Sequence, residues 1–182
     1  MTARFCSFFL LIFWVSVSFS QQANRKFRVR TITAGITLKD LSDTATIKTA
    51  IEFLKKAKQA YVDKEYEVQT LRISTQNFYS YVEKYTYDQA LPFLQVIDKI
   101  AQRENILVSI GQVLPPDEYT EGIGAWAEKL LQSTSKINFS LSISSHEKGI
   151  HYKSIRASSE IVTAISKSNG GENSDEGLLI SA

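Results

Sequence analysis

Residues 30–38 read RTITAGITL. The stretch is dense in β-branched residues and is expected to be a strand. Strand side chains alternate between two faces. Ile32, Ala34, Ile36 and Leu38 share one face, and Thr31, Thr33, Gly35 and Thr37 share the other. One face is therefore apolar. The other is a row of hydroxyls with one missing side chain.

The same division recurs along the chain. Around 67–75, Leu71 and Ile73 oppose Thr70, Arg72 and Ser74. Around 106–112, Ile106, Val108 and Ile110 alternate with Leu107, Ser109 and Gly111. Around 137–144, Ile137, Phe139, Leu141 and Ile143 alternate with Asn138, Ser140, Ser142 and Ser144.

Between these segments the apolar period changes to that of helices. Ile47, Ile51, Leu54 and Tyr61 mark a helix over 44–64, with Ser42 or Asp43 as its cap. Leu91, Leu94, Ile97 and Ile100 mark one over 87–103, capped by Thr86. Ile123, Ala127, Leu130 and Leu131 mark one over 120–133. Ile155, Val162 and Ile165 are expected to point inward from a fourth helix over 153–167.

The resulting order is βαβαβαβα. Such alternation implies an α/β fold with mainly parallel strands and right-handed crossovers. Ordinary parallel strands are apolar on both faces because helices cover both. Here one face is polar, so the helices are expected on one face only. Either the sheet is open, or it curves so that the polar face lines an interior. Four strands cannot close a barrel around an interior. A closed version needs further strands, which makes this chain resemble half of a larger α/β barrel.

The flanks differ from this domain, expected over 27–168. Met1–Arg4 carries one positive charge, residues 5–19 are almost wholly apolar or small, and Ser18 and Ser20 precede Gln21. This is the layout of a signal peptide over 1–20, followed by a polar leader over 21–26. The apolar run is short for a spanning helix, so membrane contact is expected through this segment only if it stays uncleaved. The expected destination is secreted or periplasmic. Residues 169–182, rich in Gly, Asn, Ser and acid, read as a disordered tail.

Composition narrows the chemistry. The 182 residues carry a formal charge of +2, with 43% hydrophobic and 22% charged residues. The basic residues are scattered, which argues against a nucleic-acid footprint. The one cysteine, Cys6, lies inside the signal segment. The processed chain therefore has no thiol for a disulfide, a nucleophile or a thiolate metal site. The two histidines, in HEKGIH (146–151), lack the spacing of a zinc protease. No metal or cofactor is expected. There is no phosphate-binding glycine loop and no nucleophile elbow, and no catalytic residue can be named.

Arg72 is the charged side chain on the polar faces of the four strands. A guanidinium in such a setting needs an anion, whether an internal carboxylate or a ligand. Open α/β sheets bind ligands beyond the carboxyl ends of their strands. The candidate ligand contacts are therefore Arg72, Thr33, Thr37, Ser74, Gln112 and Ser144, with His151 just before the fourth helix. The aromatic run Phe78–Tyr87 is either core packing under a loop or a lid or stacking platform.

RTITAGITL (30–38), VQTLRIST (68–75) and KGIHYKSI (148–155) resemble the N-terminal part of the domain of unknown function 711 family, also called uncharacterised protein family 0210. The resemblance covers about 27–168 and implies no established activity. It implies a fold similar to the ten-stranded barrel of pyruvate formate-lyase-like glycyl radical enzymes. Family members are more than twice as long, and the family pattern is lost after about Asn169. Glycyl radical chemistry needs an active-site thiol and a C-terminal glycine loop, which the processed chain lacks. Three expectations follow: an exported protein binding a small anionic metabolite, an inactive remnant of a longer barrel protein, or a secreted interaction module. Self-association through the open sheet face is a further expectation.

Overall fold

The computed structural model describes residues 27–168 and 178–181. The expected signal peptide and polar leader (1–26) lie outside the described residues. In chain order the main elements are β1 (Val29–Gly35), α1 (Thr44–Val62), β2 (Val68–Ser74), α2 (Tyr87–Glu104), β3 (Leu107–Gln112), α3 (Ile123–Ser133), β4 (Ile137–Ser142) and α4 (Tyr152–Ser168). A 3-10 turn at Phe78–Tyr81 precedes α2. A small antiparallel hairpin, β5 (Ser144–Ser145) with β6 (Gly149–Ile150), precedes α4.

The main sheet has the order β1-β2-β3-β4-β7, where β7 is Leu178–Ser181. Strands β1 to β4 are mutually parallel. The fold is thus α/β, with strands and helices alternating and spatial order following chain order. That is the arrangement expected of half a barrel. Within 169–182, read from sequence as a disordered tail, Leu178–Ser181 pairs in parallel with β4, and 169–177 and 182 lie outside the described residues. Its run of Leu178, Leu179 and Ile180 gives it strand character.

Register converts the sequence alternation into two faces of the sheet. Ile32 pairs with Leu71 and Ala34 with Ile73; Ile73 pairs with Val108, and Val108 with Ile137. Ile73, Phe139 and Leu141 are fully buried. They form one core with Ile47 and Leu54 of α1, Leu94 and Ile97 of α2, Trp126 and Leu130 of α3, and Ile161 of α4. The helices thus pack on the apolar face, as the hydrophobic term requires.

Local chemistry sets the helix starts. The Asp43 side chain accepts the Thr46 amide at 3.1 Å and caps α1. Thr86 and Gln89 form a reciprocal capping box at α2. Buried Asp98, inside α2, accepts the amides of Ser135 (3.0 Å) and Lys136 (2.7 Å), tying the turn before β4 to the helix. Gly124 of α3 lies so close to α4 that a Cβ there would sit 3.0 Å from the Glu160 carbonyl oxygen.

Two helix faces depart from expectation. Tyr61 is 42% exposed, its ring edge-on to Tyr66. In α4, Ile155 and Val162 are exposed, while Ser154, Ala157, Ser158, Ile161 and Ile165 are buried. The inward stripe runs through small residues because α4 crosses α3 closely, so hydrophobicity alone points to the wrong face. The aromatic run is core packing: Phe78 stacks on Trp126 at 5.3 Å, and Trp126 meets Phe139 at 5.9 Å.

Candidate functional site: the polar face of the sheet

The face opposite the helices is assembled by the same register. Thr33 pairs with Arg72, and Arg72 with Leu107. One row further on, Gly35 pairs with Ser74, Ser74 with Ser109, and Ser109 with Asn138. The small side chains of that row make a low floor between Arg72 on β2 and Asn138 on β4.

Gln112 joins this face through an irregularity. Strict alternation from Ser109 would send it toward the helices. Instead the β3–β4 register shifts between Ser109 and Gln112, and Gln112 pairs with Ser140. Gly111, in the shifted segment, has φ +69°. A Cβ there would lie 2.9 Å from Asn77 Oδ1 and 3.0 Å from Asn77 Cα. Glycine permits the left-handed backbone and the close approach, and the bulge re-aims the next side chain. Asn77 Oδ1 accepts the Gln112 amide at 3.1 Å and fixes the bulge.

Among the described residues, three buried side-chain atoms have no hydrogen-bond partner: Arg72 Nε, Gln112 Oε1 and Asn138 Oδ1. All three belong to the polar face. Asn138 is 5% exposed as a residue. Buried polar groups are nearly always paired, so three orphans on one face of one sheet mark it as unusual.

The carboxyl ends of the strands are held by side chains from the loops. The Gln76 amide grips Leu38 twice, accepting from its N–H at 3.0 Å and donating to its carbonyl at 2.7 Å. Tyr81 donates to the same carbonyl at 3.3 Å. Burial pushes the Tyr81 phenol up to about 12. Beside it, Lys84 and Tyr85 both donate to Asp40. The Lys84 bond, then the Tyr85 bond, hold the Asp40 carboxyl well below its ordinary range. These groups are committed to each other and serve to pin the loop after β1.

The family model described as "Uncharacterised ACR (DUF711)" matches residues 22–177. The chain belongs to the DUF711 family. No curated protein matches it.

The match takes in every polar-face strand residue from Thr33 to Ser142 in this DUF711 chain. Of the ligand contacts expected from sequence, Thr33, Arg72, Ser74 and Gln112 come together on the polar face. Thr37 is exposed beyond the end of β1. Ser144 sits in the hairpin, where its carbonyl accepts the Ser142 hydroxyl at 2.9 Å. His151 is wholly buried. Its ring nitrogens each lie 3.1 Å from a partner, Nδ1 from the Ser142 carbonyl and Nε2 from Ser145 Oγ. Its backbone N–H donates to Ile143 and its carbonyl accepts from Ile155, so it joins the hairpin to the first turn of α4.

Asn138 and Ser109 are on the polar face in the sequence pattern but are not among the expected contacts. The signal that finds Asn138 is an amide within a run of Ser on a half-polar strand. Among the described residues, no three His, Cys, Asp or Glu side chains gather as metal ligands would, and no helix is long and apolar enough to cross a membrane. A separate groove of about 650 Å³ runs along the β1 edge against α1, lined by Thr33, Gly35, Thr46 and Phe53 among others. It reaches the rim of the polar face but not Arg72.

Proposed function

We propose that this chain is an exported protein whose polar sheet face binds a small anionic metabolite, with Arg72 as the anion contact and Thr33 and Ser74 beside it. The observation that carries the reading is Arg72 Nε, buried and without a hydrogen-bond partner. Arg72 is half-buried as a residue, but its Nε–H is shut off from water, and a donor left unpaired in that way is costly. A ligand carboxylate or phosphate would supply the missing acceptor, and the planar fork of the guanidinium suits either group. The neighbouring side chains in register, Thr33 and Leu107, carry no negative charge to neutralise it.

The test is a thermal-shift series with the wild-type chain and Arg72→Met against a library of carboxylates and phosphates. A ligand present at a hundredfold its Kd stabilises by about 2.7 kcal/mol, which is a rise of several degrees in Tm. The wild type is expected to show such a rise with at least one compound, and Arg72→Met to lose it. Equal behaviour of the two proteins across the library would refute the reading.

A further inference from the structure

The other two orphans say more about the ligand than Arg72 does. Gln112 Oε1 and Asn138 Oδ1 are acceptors, buried and unpaired. They lie on adjacent strands of the same face, diagonal to each other by register. From a strand spacing of about 4.8 Å and a rise of about 3.3 Å per residue, their Cα atoms are roughly 8 Å apart. Arg72 is two strands from Asn138, across the low floor of Ser74 and Ser109. By the same spacings the Arg72 Cα lies about 12 Å from that of Asn138 and about 14 Å from that of Gln112, so a molecule that meets all three must be an extended one of several carbons.

What such a molecule must carry follows from the atoms left unpaired. Arg72 Nε, with a terminal nitrogen of the same guanidinium, suits a planar carboxylate side-on. The two amides need a ligand rich in hydrogen-bond donors. An ammonium group would bring a second positive charge near the guanidinium. The polar-face strand residues Thr31, Thr33, Thr70, Ser74, Ser109, Gln112, Asn138, Ser140 and Ser142 include no carboxylate to balance it. Neutral donors meet the need without that penalty, and hydroxyls also accept, so they satisfy either end of an amide.

We infer that the ligand is a small hydroxycarboxylate, held by its carboxylate at Arg72 and by its hydroxyls at Asn138 and Gln112. The inference rests on the anion-binding reading above and narrows it to one chemical class.

The experiment compares D-gluconate with hexanoate, two carboxylates of equal carbon number, by isothermal titration on the wild-type chain, Asn138→Val and Gln112→Leu. Far-UV circular dichroism confirms that each variant is folded. A site built to hydrogen-bond hydroxyls rejects an analogue that lacks them. Gluconate is expected to bind at least about tenfold more tightly than hexanoate, a gap of about 1.4 kcal/mol. Either variant should shrink that ratio while leaving hexanoate unchanged. Equal or tighter binding of hexanoate overturns the hydroxycarboxylate assignment and leaves anion binding at Arg72 standing. Binding of inorganic phosphate without gluconate does the same. Absence of binding by gluconate, hexanoate and phosphate overturns both. Two folded variants that keep the full ratio overturn the roles given to the amides.

Discussion

Replacing Asn138 by valine should make the ligand-free protein more stable, and the reason lies in the amide itself. Asn138 is 5% exposed and its Oδ1 has no partner. A buried acceptor left unpaired costs about 1–3 kcal/mol relative to the same atom in water. Valine removes that cost and fits a pleated strand better, worth up to about 1 kcal/mol. Some of the gain will be offset by imperfect packing of the branched side chain. A net stabilisation of about 1–3 kcal/mol is expected, and each kcal/mol moves Tm by roughly 2–4 °C in a domain of this size. The assay is urea unfolding followed by the fluorescence of Trp126, which is 3% exposed and stacked on Phe78. The midpoint should rise with an unchanged m value. Thr33→Val, on an exposed position of the same face, is the control and should stay within about 0.5 kcal/mol of wild type. A loss of 1 kcal/mol or more in Asn138→Val would mean that the amide is already paired, and the argument from orphaned groups would fail.

Two other expectations follow from the structure. Gly111→Ala combines φ +69° with a Cβ 3.0 Å from the Asn77 backbone, so it should cost more than about 1 kcal/mol in the same urea assay; a neutral result would mean the bulge is not needed. The Asp40 carboxyl, held below its ordinary 3.8 first by the Lys84 bond, favours the folded state above pH ~4, and that contribution is lost as pH falls below it toward the folded value. Asp40→Asn should therefore be less stable than wild type at pH 7 and converge with it on acidification, as followed by thermal unfolding from pH 7 to pH 2; a constant difference across that range would contradict the pairing.

Much of this architecture is written in local pattern. The alternation through Ile32–Ala34, Leu71–Ile73 and Phe139–Leu141 finds the strands and their buried face, because a period of two suits a half-buried strand and no helix. Asp43 and Thr86 mark their helix starts for the same local reason. What the chain does not reveal is tertiary. Gln112 reaches the polar face through a bulge that depends on Asn77, thirty-five residues away. The inward stripe of α4 is set by its close crossing of Gly124, so Ile155 and Val162 mislead. His151 looks free for a ligand in the sequence because its partners, Ser142 and Ser145, belong to a hairpin with almost no sequence signature. That Asn138 is unpaired is a property of its surroundings and has no counterpart in the sequence. Arg72 is legible because one charge among hydroxyls calls for a counter-ion before any fold is drawn.

The most direct measurement follows the Nε–H of Arg72 itself, in a heteronuclear NMR spectrum of protein labelled with ¹⁵N-arginine and assigned by its absence in Arg72→Met. The account predicts that adding D-gluconate moves this signal saturably while those of exposed Arg28 and Arg156 barely change. An Arg72 signal that follows Arg28 and Arg156 throughout titrations with gluconate, acetate and inorganic phosphate would contradict it.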